Sequence, residues 1–320
     1  MKGPTLDYLT SSGERAAAVV PLTWFTLIVS IVVCCIIAVL LWGGVRRTRR
    51  YGVAVETRAV SVERGGDGLG WIKWGLAISA VPLAISLVWT MAALGHIAGP
   101  PRRPGLTIDV TPHQYWWEVR YSGPTAANIF STANEIHIPT GKRVLVRLHG
   151  ADVIHSFWVP QLSGKTDAIP GQVNSSWIAA DRPGRYFGQC TEFCGLEHAK
   201  MAFEVVADTP AAFDQWRRAQ LQTAPPPATP AAQRGLQYFQ YRCALCHAVR
   251  GTLAASHYGP DLTHLMSRQL IASGALTNTR GNLAGWVDAP QRVKPGALMP
   301  DQKLTGQQLN DVVAYLETLK

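Results

Sequence analysis

Cys190-Thr191-Glu192-Phe193-Cys194-Gly195-Leu196-Glu197-His198-Ala199-Lys200-Met201 sets two thiols, an imidazole and a thioether within one short run. A second imidazole, His155, lies upstream on the segment after Gly150. Zinc takes four strong ligands in a tetrahedron, and Cys190, Cys194, His198 and His155 could supply them, but Met201 would then be idle. The thioether points instead to copper, which favours soft sulfur and often takes a long axial methionine in electron-transfer sites. Two cysteines rather than one imply two copper ions bridged by both sulfurs, each completed by one histidine and one weak axial group. Ligands so close in sequence help hold that purple binuclear geometry nearly unchanged between oxidation states, which keeps electron transfer fast.

Around this run, residues 105–208 alternate with period two. Thr107 to Val110, Arg143 to Leu148, Ser175 to Ala180 and Met201 to Val206 are short candidate strands, punctuated by Gly141, Gly150, Gly171 and the turn Asp181-Arg182-Pro183-Gly184. The pattern predicts a small antiparallel sandwich or barrel. Residues 209–230 then read as a helix, Ala211 to Gln222, and a proline-rich spacer, Ala224-Pro225-Pro226-Pro227-Ala228-Thr229-Pro230. Such proline density favours a semi-rigid polyproline segment that holds the following domain at a distance.

That domain, residues 231–320, contains Cys243-Ala244-Leu245-Cys246-His247. In this pentad two thiols add to the vinyl groups of a haem and the adjacent imidazole binds its iron. A sixth ligand is expected far downstream, and Met299 in Lys294-Pro295-Gly296-Ala297-Leu298-Met299-Pro300 is the candidate; a Met/His pair raises the iron potential. Met266, in a helical stretch after Gly259-Pro260-Asp261-Leu262, reads as a core methionine. His96, His137, His149, His257 and His264 lack partners at metal spacing and read as surface or packing residues. An amphipathic helix from Gln307 to Leu319 closes the chain.

The N-terminal part is of another kind. Of the 320 residues 47% are hydrophobic and only 16% charged, and Pro21 to Trp42 and Trp74 to Leu94 form uncharged runs, the first reaching roughly 30 Å as a helix. Both can span a bilayer, and Pro82 is tolerable there because neighbouring helices absorb the freed carbonyl. Much of the net charge of +9 lies between the runs, as Arg46, Arg47, Arg49, Arg50, Arg58 and Arg64. The positive-inside rule keeps that loop, residues 44–72 or so, in the cytoplasm and puts residues 1–20 and everything after Ile97 outside. Trp24, Trp42, Trp71, Trp74 and Trp89 lie near the span ends, where indole favours the interface. The first span starts far from Met1, without a basic leader or small-residue cleavage site, and reads as a signal anchor. No basic, aromatic-studded patch points to nucleic acid. The six cysteines fall in three close pairs rather than a disulfide framework, and Cys34 and Cys35 read as packing inside the first span.

The run Cys-x-x-x-Cys-x-x-x-His-x-x-Met, with His155, Lys165-Thr166-Asp167-Ala168-Ile169-Pro170-Gly171 and Arg182-Pro183-Gly184, closely resembles cytochrome c oxidase subunit II and its CuA site. The C-terminal domain resembles class I cytochromes c: Gly235 and Phe239 precede the haem pentad, Tyr315 and Leu316 lie on the terminal helix, and in that family these helices cross at the glycine. Together they resemble the caa-type oxidases, whose subunit II carries its own cytochrome c. The resemblance implies a multi-domain membrane protein: a two-helix transmembrane hairpin (21–97), a cupredoxin-like β-sandwich (105–208) and an all-α class I cytochrome c domain (231–320). It implies Cys190 and Cys194 as bridging ligands, His155 and His198 as terminal ligands, Met201 axial to one copper and the Glu192 carbonyl axial to the other. The Glu192 side chain would reach a magnesium ion shared with the catalytic subunit.

The implied partners are subunit I, with haem a and a haem a–CuB centre, subunit III, and as donor a soluble or membrane cytochrome c or a quinol-oxidising complex. Electrons would run from haem c to CuA and on to haem a in subunit I of the inner-membrane complex, for proton-translocating reduction of O2 to water. The same residues also suit the small subunit of a CuA-type nitric oxide reductase, or a free-standing anchored redox carrier, although a carrier needs only one anchor. Two departures stand out. His113-Gln114-Tyr115-Trp116-Trp117 has Tyr115 where the family usually has the tryptophan that receives electrons from soluble cytochrome c, so Tyr115, Trp116 and Trp117 are the entry candidates. Some members also place a glutamate near the start of the second span, and Trp71 to Gly75 contains none.

The arginine cluster yields a direct test. A reporter active only outside the cytoplasm should work when fused after Lys320 and fail when inserted near Arg58; the reverse pattern would invert the hairpin.

Overall fold

The two apolar runs become helices, α1 (Glu14–Tyr51) and α2 (Leu69–Ile97). The computed structural model of the chain describes residues 6–51, 69–99, 101 and 103–320; Arg58 and Arg64 lie outside these. Both helices extend past the uncharged runs, α1 continuing through Arg46, Arg47 and Arg49, because arginine favours a helix once the chain has left its apolar stretch. Their mean hydropathy reaches 3.0 and 1.9, and by length and composition both can cross a membrane. Leu40 is 69% and Leu76 71% exposed, whereas a helix in a soluble core would bury such side chains.

Outside this helical pair, the described residues among 6–16 and 99–320 form one compact unit. Its first part is a β domain with ten strands: β1 (Leu106–His113), β2 (Trp116–Tyr121), β3 (Phe130–Ala133), β4 (Glu135–Pro139), β5 (Val144–His149), β6 (His155–Trp158), β7 (Thr166–Ala168), β8 (Val173–Ile178), β9 (Gly184–Cys190) and β10 (Ala202–Asp208). They make two five-stranded sheets, ordered β3-β2-β1-β5-β8 and β4-β10-β9-β6-β7. Ile108, Val110, Val146, Leu148, Phe157 and Val205 fill the space between them. The sandwich is not purely antiparallel as expected. β1 pairs with β5, and β4 with β10, in parallel, because the chain crosses to the second sheet as β4 before returning as β5.

The N-terminal segment is part of this unit. The Ser12 N–H donates to the Gln161 carbonyl, Asp181 N–H to the Ser12 carbonyl, both at 2.9 Å, and Arg15 to Ser176 Oγ at 2.8 Å. Beyond the sheets, α3 (Pro210–Gln220), capped by Thr209, lays Trp216 against Tyr121, Phe130 and His137.

The C-terminal domain is helical, with α4 (Pro230–Tyr238), α5 (Arg280–Asp288), α6 (Pro290–Val293) and α7 (Gly306–Leu316), plus a small hairpin, β11 (Leu270–Ile271) and β12 (Leu276–Thr277). Thr305 and Gln308 form a reciprocal capping box that starts α7, satisfying two otherwise orphaned amides. α4 and α7 cross at Gly235, where a β-carbon would lie 2.0 Å from the Asp311 carbonyl oxygen. Phe239 and Tyr315 pack beside the crossing with ring centroids 5.3 Å apart.

The proline-rich spacer does not hold this domain away from the sandwich. Ala202 N–H bonds the Ser273 carbonyl at 3.1 Å, Lys200 Nζ the Val293 carbonyl at 2.7 Å, and Arg250 Nη2 the Ile129 carbonyl at 2.6 Å. A stiff linker limits reach but not direction, so contacts at its far end can fold it back. Because the crossing leaves no room for a methyl group, Gly235→Ala should destabilise the cytochrome domain by about 1–3 kcal/mol. Urea unfolding followed by the domain's tryptophan and tyrosine signals measures this; an unchanged midpoint would show that the helices can separate freely.

Candidate metal centre and haem cavity

Three strands place the sulfur cluster. His155 opens β6, Cys190 ends β9, and the pairs Phe157↔Cys190 and Gln189↔Ala202 clamp the loop 190–201 at both ends. Within the loop, Gly195 adopts φ +125°, and a β-carbon there would lie 2.6 Å from the Tyr115 hydroxyl. Such a backbone position favours glycine.

The two sulfurs lie 3.8 Å apart. Cys190 Sγ is 3.8 Å from His155 Nδ1 and 3.3 Å from the Glu192 carbonyl, and Cys194 Sγ is 3.5 Å from His198 Nδ1 and 3.8 Å from Met201 Sδ. The ligand atoms of His155, Cys190 and Cys194 all fall within 4.8 Å of one another, and all three residues are buried. Every group singled out for copper converges here, and the Glu192 carboxylate, singled out for magnesium, is on an exposed residue. The hydrogen bond with Cys194 pulls the Cys190 thiol down to about 4, while the same pairing pushes Cys194 up. A set of two thiols, two imidazoles, a thioether and a carbonyl in a buried cluster fits copper by ligand chemistry.

Asp152 orients the site. Its Oδ1 is 2.8 Å from His155 Nε2, leaving Nδ1 to face Cys190, and the carboxylate also accepts from Gln114 N at 2.6 Å and Val153 N at 2.7 Å. Burial opposes the Asp152 carboxylate, but these hydrogen bonds outweigh it and hold its pKa below the usual range.

The three aromatic entry candidates separate. Trp117 is fully buried in the sandwich core, with its ring 4.8 Å from Phe203 and 6.3 Å from His155. Trp116 stacks on His113 at 4.6 Å. Tyr115 is 8% exposed; its hydroxyl accepts from Leu196 N at 3.0 Å, and neighbouring Gln114 donates to the Cys194 carbonyl at 2.6 Å.

Tyr115 and Trp116 also line a cavity of about 700 Å³, whose other walls include Cys243, Cys246, His247 and Met299. The volume suits a cofactor-sized ligand. His247 Nδ1 is 2.8 Å from the Pro260 carbonyl, which leaves Nε2 as the second ring nitrogen for a metal. Burial lowers the His247 pKa and so favours the neutral, ligating imidazole. Met266 instead packs against the cytochrome core, its N–H on the Leu319 carbonyl at 2.7 Å. Two buried basic side chains, Arg268 and Lys294, border the same cavity; burial brings Lys294 to about 7.

Residues 109–208 match the family model for the cytochrome c oxidase subunit II periplasmic domain, and residues 232–320 match cytochrome c. The chain belongs to the cytochrome c oxidase subunit II family. It is 39% identical over 215 residues to cytochrome c oxidase subunit 2 of Alkalihalophilus pseudofirmus, covering 67% of this chain and 61% of that protein's length. It is 28% identical to cytochrome c oxidase subunit 2 of Bacillus subtilis, covering 99% of this chain and 92% of that one. The periplasmic domain of subunit II of cytochrome oxidase from Bradyrhizobium japonicum is 32% identical, covering 37% of this chain and 94% of that domain, with a TM-score of 0.35.

In this subunit II chain, sequence reasoning missed Asp152, Gln114 and Lys294. Asp152 stands three residues before His155 and could have been found as a carboxylate positioned to orient an imidazole; nothing local marks Lys294. The remaining histidines divide into packing and surface roles. His137 is buried between Asp208 and Glu135 at 2.7 and 3.0 Å, His264 is buried against the Lys320 carbonyl, and His149 pairs with Asp109. Asp152→Ala should weaken copper binding about 10- to 100-fold, since removing the partner of a ligating imidazole has that effect. Competition with a copper chelator measures the change, and an unaltered affinity would mean that His155 needs no orienting partner.

Proposed function

We propose that this chain is the electron-relay subunit of a membrane-bound haem-copper oxidase, taking electrons onto haem c in the C-terminal cavity and passing them to a binuclear CuA site in the β domain. One observation carries the reading: a wall of the haem cavity, Tyr115, is hydrogen-bonded to the loop that bears the sulfur ligands. Cys190 and Cys194 would hold the copper pair through their thiolates, with His155, His198, Met201 and the Glu192 carbonyl as its further donors. Cys243 and Cys246 would hold haem c through their sulfurs, with His247 and Met299 as the ligands of its iron. When bound, the copper pair and the haem supply reversible one-electron chemistry.

The chain's own residues prepare that chemistry. Asp152 and the Pro260 carbonyl fix the orientations of His155 and His247. Trp117, Phe157 and Phe203 pack beside the copper ligands and keep water from them, which limits reorganisation. Glu192, exposed between the two cysteines, offers its carboxylate to a magnesium ion at the interface with subunit I. The hairpin anchors the assembly in the bilayer, with both redox domains on the external, periplasmic side. Oxygen reduction and proton translocation belong to subunit I with its haem a and CuB, accompanied by subunit III. The donor is a cytochrome c or a quinol-oxidising complex that meets the haem c domain, since Tyr115 is covered. The oxidase names carried by the relatives favour O2 over nitric oxide as the substrate of the complex.

The test uses the full chain loaded with copper and haem. Its electron spin resonance spectrum should show hyperfine structure from one electron shared by two copper nuclei. Met299→Ala should abolish the weak absorption band of a methionine-ligated ferric haem, and Met266→Ala should retain it at a packing cost of about 2–5 kcal/mol. A single-copper spectrum, or loss of the band only in the Met266 variant, would overturn the corresponding assignment.

A further inference from the structure

Two of the contacts between the cytochrome and β domains meet at one backbone carbonyl, that of Tyr115. Tyr115 stands in the turn between β1 and β2, beyond the last ladder pair, His113↔Trp116, so this residue lies outside the ladder. Two side chains from separate segments of the cytochrome domain donate to its carbonyl: Lys294 Nζ at 2.6 Å and Ser273 Oγ at 2.7 Å. Both residues are 2% exposed. An ammonium taken out of water destabilises a fold unless it meets a strong acceptor and an opposing charge. The Tyr115 carbonyl is the acceptor, and Glu197, buried between Cys194 and His198, supplies the attraction, partly countered by Lys200.

The surrounding contacts lie on the same ligand loop. Lys200 bonds the Val293 carbonyl, Ala202 N–H bonds the Ser273 carbonyl, and Leu196 sits where a β-carbon on Gly296 would be 3.3 Å from it. From the junction inward the links are short, through Gln114 to the Cys194 carbonyl and through the Tyr115 hydroxyl to Leu196 N. Tunnelling falls steeply with distance, so whatever fixes this junction fixes the rate.

We infer that Lys294 is a positioning residue: with Ser273 it latches the haem-bearing domain onto the copper ligand loop through the Tyr115 carbonyl, and thereby sets the gap that electrons cross. The inference rests on the relay reading above. The step it governs is a one-electron exchange in which ferrous haem is oxidised and the copper pair is reduced by one electron; no bond changes, and Lys294 neither gains nor loses a proton.

Lys294→Met keeps the side chain's bulk but removes its donor and charge, and Ser273→Ala removes the second donor alone. The full chain, loaded with copper and haem in detergent, is followed by hydrogen exchange at residues 114–117 and 272–275. The haem-to-copper rate after flash reduction of the haem is measured at increasing solvent viscosity. Exchange should rise about tenfold in Lys294→Met, as expected for losing one charge-assisted hydrogen bond, and less in Ser273→Ala. Transfer should slow and become viscosity-dependent in the variants, because the domains must re-dock, while the wild type stays independent of viscosity. If Lys294→Met does not take up its metals, Ser273→Ala alone decides. Wild-type exchange and viscosity-independent transfer in the variants would overturn the latch; a wild-type chain whose reduced haem never passes its electron would overturn the relay reading itself.

Discussion

Two cysteine sulfurs 3.8 Å apart in a buried pocket cannot both ionise without positive charge between or beside them. The first thiol gives up its proton easily and the second resists, so the site is built for cations that supply the missing charge. The fold around it follows from that constraint. β9 and β10 clamp the two ends of the ligand loop, Gly195 turns it, β6 delivers His155, and Asp152 fixes which imidazole nitrogen faces the sulfur. Together they bring donors spread from residue 155 to residue 201 within reach of one another.

Charge is handled with the same care elsewhere in the β domain. Glu135, Glu204 and Asp208 are drawn together with His137 and Arg185: His137 is bonded to both Glu135 and Asp208, and Arg185 pairs with Glu135 and Glu204. Burial alone would lower the His137 pKa, but its two carboxylate partners raise it. Such pairs hold geometry more than they add stability, because desolvation offsets most of the attraction. Here the geometry held is that of Trp216, stacked on the His137 ring at 4.0 Å, which fastens α3 to the sandwich. With α3 fastened and Ala224 N–H bonded to the Arg250 carbonyl, the chain enters the cytochrome domain from a fixed place on the sandwich.

That arrangement changes the meaning of the aromatic run at 115–117. In sequence Tyr115, Trp116 and Trp117 are all candidates for receiving electrons, with Tyr115 at the place of the family's usual tryptophan. In the structure Trp117 belongs to the core, while Tyr115 and Trp116, with Gln114, Ala133 and Asn134, close a cavity whose remaining walls belong to the cytochrome domain. The haem cavity is therefore a joint product of both domains.

The sequence by itself determined the donor types and spacing at 190–201, the thiol pair and imidazole at 243–247, and the two apolar helices. These are legible because ligand spacing, residue softness and hydrophobic length are local properties of a chain. The resemblance to class I cytochromes c also implied the crossing at Gly235, where a β-carbon finds no room. The tertiary structure alone decided the parallel strand pairs, the complete burial of β4, which its alternation of Glu135, Ile136, His137 and Ile138 disguises, and the service of Asp152, Gln114 and Lys294. It also decided that a proline-rich segment folds back rather than holding its domains apart. Each of these depends on a partner distant in sequence: Lys294 and Tyr115 are separated by 179 positions, and no local pattern in the chain records that a buried ammonium will meet that carbonyl.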